Sequence, residues 1–270
     1  MQSDLEIRHS CSFWAQKRGN TPDEFEDAFA LDARNGRFAV ADGATESSFA
    51  DLWAKQLVDG FVSRDGFRLL GEFEADVWHS WLPSLQEQWK KIVDEKDLPW
   101  FGRNKIEKGA HATFLGLTFQ REELAWHRRW LPWFSFYKDA IRWRAIAVGD
   151  ACMFMIRNDI CTQAFPVTRP DDFHNSPCLV ASISHLSAAL SKNERRCEGE
   201  CRQGDLFWLM TDALAHWFLK ERDADRRPWR QLGTFLEKDA TQNHFVEWIE
   251  KLRSASEIRN DDVTALGIAF

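Results

Sequence analysis

Acidic residues recur in this 270-residue chain wherever a short apolar run begins or ends: Glu26-Asp27, Asp42, Asp150, Asp212 and Asp261-Asp262. One acid in such a place is ordinarily a turn residue. Five such positions, each beside a run of Ala, Val, Leu, Phe or Met, suggest a shared site. Like charges gathered together are costly without a compensating cation. A donor set of hard oxygens with no His or Cys cluster selects Mg2+ or Mn2+ over zinc, and such ions activate water against a phosphate ester. The six cysteines offer no competing site. Cys11, Cys152, Cys161, Cys178, Cys197 and Cys201 contain no Cys-x2-Cys pair and no histidine partners at zinc spacing, so they read as free thiols. His111 and His216 lie near candidate strand ends, where packing or surface roles are the expectation.

These acids need strands to position them. Asn35-Gly36 stands between two apolar runs and predicts a hairpin with a two-residue turn. Pairing residues 34 and 37 would set Asp42 opposite Phe29, with Asp27 its diagonal neighbour on the same face, roughly 7 Å away. Before the hairpin, residues 5 to 16 read as a strand and 17 to 25 as a loop. After it, Phe49, Leu52, Trp53, Leu57 and Phe61 recur at helical spacing, and a second helix is predicted from Phe73 to Val93, kinked or split by Pro83. Residues 94 to 109 read as a surface loop and 111 to 119 as a buried strand. RWRAIAV (142 to 148) and CMFMIRN from Cys152 read as paired strands, with Gly149-Asp150-Ala151 connecting them. DLFWLMT ends at Asp212 and gives way to a helix; a last helix over Asn243 to Leu252 precedes a closing strand introduced by Asp261-Asp262.

Composition narrows the function classes. With 44% hydrophobic and 29% charged residues the chain is of ordinary globular type. A net charge of -7 lacks the basic footprint expected of a nucleic-acid or anionic-membrane partner. The start has no basic region followed by a long apolar run, and no stretch approaches about 18 uncharged apolar residues, so a cytoplasmic protein is expected. Fourteen Trp and twenty-one Phe are expected mostly in the core.

Six short motifs then fall into order along nearly the whole chain: FEDAF at 25 to 29, FAVADG at 38 to 43, ATFLGL at 112 to 117, AVGDA at 147 to 151, LMTDAL at 209 to 214 and NDDVTAL at 260 to 266. Together they resemble the metal-dependent protein phosphatases of the protein phosphatase 2C family. The resemblance implies an α+β fold, a four-layer α-β-β-α sandwich of two central antiparallel sheets flanked by helices. Residues 1 to 270 would form a single such domain, with an insertion at 120 to 140 and a flap at 162 to 201. It also implies two Mn2+ or Mg2+ ions, with a third, weaker one at Asp150 and Asp212. Asp42 would bridge the pair, Gly43 would offer its carbonyl, and Glu26, Asp212 and Asp261 would complete the coordination. Asp27 and Asp262 would act mainly through bound water or around the ligands. Asp42 and Asp212 are the catalytic candidates, through attack of a metal-bridging water or hydroxide on phosphorus.

The same resemblance implies a bacterial-type phosphatase acting on phosphoserine or phosphothreonine in proteins, with a cognate Ser/Thr kinase as the source of the phosphate. Two positions depart from the family pattern. Pro22 stands four residues before Glu26, where many members carry an Arg that grips the phosphate, leaving Arg18 as the nearest upstream substitute. Ala44 follows Asp42-Gly43 where some members have a His proton donor, with Glu46 as a substitute. Two alternatives stay open: a catalytically weak member acting as a binding or regulatory module through the aromatic-rich 120 to 140 segment, and a hydrolase of small phosphate compounds.

Overall fold

The computed structural model describes residues 7–45, 47–63, 77–96, 106, 108–121, 141–173, 177–184 and 190–270. Most of the expected insertion at 120 to 140, part of the expected flap at 162 to 201, and Glu46 lie outside the described residues.

Strands form where the sequence is apolar on both faces, as buried sheets require. In β3 (Arg37–Asp42), Phe38 and Val40 face one way and Ala39 and Ala41 the other, all four fully buried. This strand lies in a five-stranded antiparallel sheet with β2 (Asp27–Asp32), β5 (Phe114–Arg121), β6 (Ile141–Val148) and β10 (Arg195–Cys201), in the order β10-β6-β5-β3-β2. A second antiparallel sheet orders β1 (His9–Ala15), β12 (Val263–Ala269), β11 (Leu206–Met210), β7 (Cys152–Arg157) and β8 (Ile160–Phe165) as β1-β12-β11-β7-β8.

Three apolar clusters define four layers. Phe38, Val40, Leu117, Met153, Leu209 and Ile268 fill the space between the sheets. α1 (Ala50–Val62) and α2 (Val77–Asp94) cover the outer face of the first sheet through Trp53, Leu57, Phe61, Trp81 and Trp89. α4 (Asp212–Asp223) and α6 (Gln242–Ser254) cover the second through Trp217, Phe218, Phe245 and Ile249. α3 (Leu190–Asn193) and α5 (Pro228–Gly233) are short. The first helix lies so close to its sheet that a Cβ on Gly116 would come within 2.5 Å of the Phe61 ring. No described helix is long and apolar enough to cross a membrane.

The α+β sandwich expected from the motifs is therefore the fold, with local differences. The β2-β3 hairpin pairs Asp32 with Arg37, leaving a four-residue loop instead of a two-residue turn. The Asp32 carboxylate explains the longer loop: it accepts from the Asn35 backbone N–H at 3.1 Å and the Asn35 side chain at 2.6 Å, closing the turn one residue earlier than an Asn-Gly type I′ turn would. The apolar run from 111 to 119 breaks at Thr113 into β4 (His111–Ala112), which pairs with β9 (Val180–Ala181), and β5. The segment from 162 to 201 contributes β9, the edge strand β10 and most of the edge strand β8, whose exposed or charged residues suit a sheet margin.

Candidate active site

The new hairpin register places Asp27 directly opposite Asp42. Compared with the expected register it slips by two residues, which keeps both acids on the same face because side chains alternate with period two. Asp27 is buried; its Oδ2 accepts from the Thr211 hydroxyl at 2.8 Å, while its Oδ1 has no hydrogen-bond partner. Thr113 fixes the Asp42 backbone from the break between β4 and β5: its N–H donates to the Asp42 carbonyl at 2.8 Å and its hydroxyl accepts from the Asp42 N–H at 3.1 Å. Gly43 then donates to the Glu26 carbonyl at 3.2 Å. A Cβ on Gly43 would stand 2.8 Å from that carbonyl, so only glycine lets the two acidic strand ends lie this close.

The remaining acids arrive from both sheets. Asp150 follows Gly149, whose φ of 94° turns the chain tightly between β6 and β7; Asp150 is buried and its Oδ1 is unpartnered. Asp212 opens α4 directly after β11. Asp262 accepts from the backbone N–H groups of Lys17 at 2.7 Å and Glu26 at 2.8 Å, so it ties the first loop to the site. Its neighbour Asp261 lies 3.8 Å from the Lys17 ammonium. Asp42, Gly43, Asp150, Asp212 and Asp261 line one open cleft of about 750 Å³, with Lys108, His111 and Arg259 also on its wall.

Electrostatically these acids form one group. Burial pushes the Asp27 and Asp42 carboxyls well above the usual range, reinforced for Asp27 by the charges of Asp262 and Asp212, and for Asp42 by those of Asp27, Asp212, Asp150 and Asp261. Asp150 is pushed up to about 7, by burial first and then by Asp212. Burial also raises Asp212, against the pull of Arg259. Glu26 is raised by burial and by Asp262, Asp51 and Asp261, although Thr45 hydrogen-bonds to it. Such a set cannot be fully ionised without added positive charge.

That requirement is the test of fit for a divalent cation. The donors are all hard oxygens, two buried carboxylate oxygens lack any partner, and the surplus charge is negative. Among the described residues, no three His, Cys, Asp or Glu side chains are drawn together as a ready chelate. Asp212 is instead engaged by the Arg259 guanidinium.

Sequence reasoning named the acids but left out the cations. Arg259 stands two positions before Asp261 and Lys108 three before His111, and both lie on the cleft wall. His111, expected to be structural, lines the cleft, half-buried, with burial lowering its pKa. His216 packs edge-on against Phe173 at 5.4 Å. Arg18 turns away: Nε donates to Glu250 at 2.8 Å and Nη2 to the Ser254 hydroxyl at 3.0 Å.

Solved serine/threonine phosphatases share this architecture. PppA, described as a key regulatory component of T6SS in Pseudomonas aeruginosa, aligns with a TM-score of 0.56 at 14% identity, over 96% of this chain and 96% of its own. The Mycobacterium tuberculosis serine/threonine phosphatase PstP/Ppp aligns with a TM-score of 0.56 at 14% identity over 97% of each chain. A PstP catalytic domain in complex with 2 manganese ions gives 0.53 and 14% over 96% of each. Neither a family model nor a curated protein sequence matches the chain. The chain has the fold of the protein phosphatase 2C-like serine/threonine phosphatases.

Proposed function

We propose that this protein is a divalent-metal-dependent phosphatase that hydrolyses phosphoserine and phosphothreonine in proteins. One observation carries the reading: acids from both sheets converge on a single cleft with too little positive charge to neutralise them. Glu26, Asp42, Gly43, Asp212 and Asp261 would hold two Mn2+ or Mg2+ ions, as the manganese-bound neighbour of the same fold supports. Asp150 with Asp212 would hold a third, and Asp27 and Asp262 would steady the ligands. Such ions supply Lewis-acid polarisation of a phosphoryl oxygen and acidify bound water.

The chain's own groups supply the positioning. Asp27 and Asp42 are fixed in mutual register by the hairpin; Thr211, just past the end of β11, holds the Asp27 side chain, and Thr113, at the break between β4 and β5, holds the Asp42 backbone. The cleft is open enough to admit a phosphorylated side chain presented by another protein, whose phosphate would come from a Ser/Thr kinase.

The test is hydrolysis of a phosphothreonine peptide and of p-nitrophenyl phosphate by purified protein in millimolar Mn2+. Turnover abolished by a chelator is expected. No turnover and no Mn2+ binding would sink the proposal. Tight Mn2+ binding without turnover would favour a binding module, a reading motivated by Ala44 after Asp42-Gly43. Turnover confined to small phosphate compounds would redirect the substrate class.

A further inference from the structure

The cleft contains a cation that the acid motifs did not announce. Arg259 stands in the loop between α6 and β12, and its backbone is held on both sides: Ile258 is buried, and the Asn260 side chain accepts from Arg18 N–H at 2.8 Å and donates to the Arg18 carbonyl at 3.1 Å. The Asp261 carbonyl beyond it is held by Arg253 at 2.5 Å. Between these anchors the Arg259 side chain is 45% exposed and lies across the cleft on Asp212. A fixed backbone with a long, half-exposed side chain suits a group that changes partner.

Asp212 cannot serve two cations fully. Once that carboxylate is engaged by a divalent ion, the guanidinium loses its partner and is repelled from the ligand set, and the nearest anion becomes a phosphate entering the cleft. Guanidinium is suited to that anion, because its forked N–H groups match two phosphoryl oxygens. Arg18, the upstream substitute, is occupied by Glu250 and Ser254, and Pro22 has no cation to offer. Resting on the metal-phosphatase reading, we propose that Arg259 is the phosphate-gripping residue of this protein, parked on Asp212 until a divalent ion takes that carboxylate.

The experiment uses the full chain, Arg259→Ala and Arg259→Lys. Mn2+ affinity is measured by calorimetry without substrate; KM and kcat are measured on a phosphothreonine peptide, and orthophosphate by its inhibition constant. Arg259→Ala is expected to bind Mn2+ at least as tightly as wild type, since an internal competitor is gone. Its KM and orthophosphate inhibition constant should rise about 10- to 100-fold, with a smaller fall in kcat, and Lys should recover part of the loss. An unchanged orthophosphate inhibition constant with intact Mn2+ binding overturns the proposal while the phosphatase reading survives. Weakened Mn2+ binding in both variants also overturns it, making Arg259 a builder of the metal site. Wild-type protein that neither binds Mn2+ nor turns over would remove both readings together.

Discussion

The two ends of the sandwich treat the same residue type in opposite ways. At the end away from the cleft, Asp205 is 1% exposed and receives Arg157 through both oxygens, Nε at 2.8 Å and Nη2 at 2.6 Å, with the Arg202 N–H at 2.6 Å as well. Asp159, in the β7-β8 turn, gathers Arg230, Trp229 and Arg227, which hold its carboxyl well below the usual range. At the cleft end, Asp27, Asp42 and Asp150 form no salt bridge among the described residues, and their carboxyls are held above the usual range. Buried Asp205 and half-exposed Asp159 are thus matched by arginine where they serve the fold, whereas at the cleft end only Asp212 has an arginine on it. Uncompensated carboxylates of this kind are expected to cost stability in the bare protein, as the proposed metal site requires.

The largest expected effect breaks the cleft end alone. Asp42→Asn should lower turnover of a phosphothreonine peptide at saturating Mn2+ by on the order of 10³-fold, equivalent to about 4 kcal/mol of barrier. The metal-free variant should melt no lower than wild type, because a neutral amide relieves the repulsion around it. A clear loss of stability would mean that Asp42 serves the fold as Asp205 does.

Asp205→Ala probes the opposite end. Removing this carboxylate strands Arg157, which is 24% exposed, and should cost about 2–4 kcal/mol in urea unfolding. Activity per folded molecule should stay at the wild-type level. If Asp205→Ala lowered turnover without lowering stability, the two ends would be coupled and the contrast between them would fail.

The sequence made the acids legible because each sits at the border of an apolar run, and period-two alternation such as Phe38-Ala39-Val40-Ala41 is visible without a structure. The helix from Ala50 to Val62 was likewise written in its spacing. What escaped depended on contacts between distant segments. The hairpin register turned on one carboxylate, Asp32, competing for the Asn35 N–H, a side-chain preference that the Asn-Gly signal outweighed on paper. The break at Thr113 follows from its two hydrogen bonds to Asp42, 71 positions away. Arg259 was invisible as a site residue because its partner is 47 positions distant and a lone arginine in a loop is ordinarily solvated.

The smallest effect tests the unmatched end most directly through pH. Asp150 has an ordinary carboxyl value of 3.8 and is pushed up to about 7 in the folded protein, by burial and by Asp212. A raised folded value means that the native state holds the proton more tightly than the unfolded chain does. The stability this confers is fully present below about pH 4 and is lost as pH rises through about 7. At about 1.4 kcal/mol per unit the full shift would be about 4 kcal/mol; relaxation and water entry reduce the expected loss to about 1–2 kcal/mol. In chelator, wild-type protein should therefore lose stability from pH 4 to 8, and Asp150→Asn should flatten part of that slope. The variant should match wild type at the acid end and exceed it at pH 8, as read by urea unfolding. Added Mn2+ should restore wild-type stability at pH 8 more than that of Asp150→Asn, because only the wild type keeps the carboxylate for the ion to neutralise. An identical pH slope in both proteins would show that Asp150 is not among the unmatched charges, and the cleft end would then be narrower than the acids at its rim suggest.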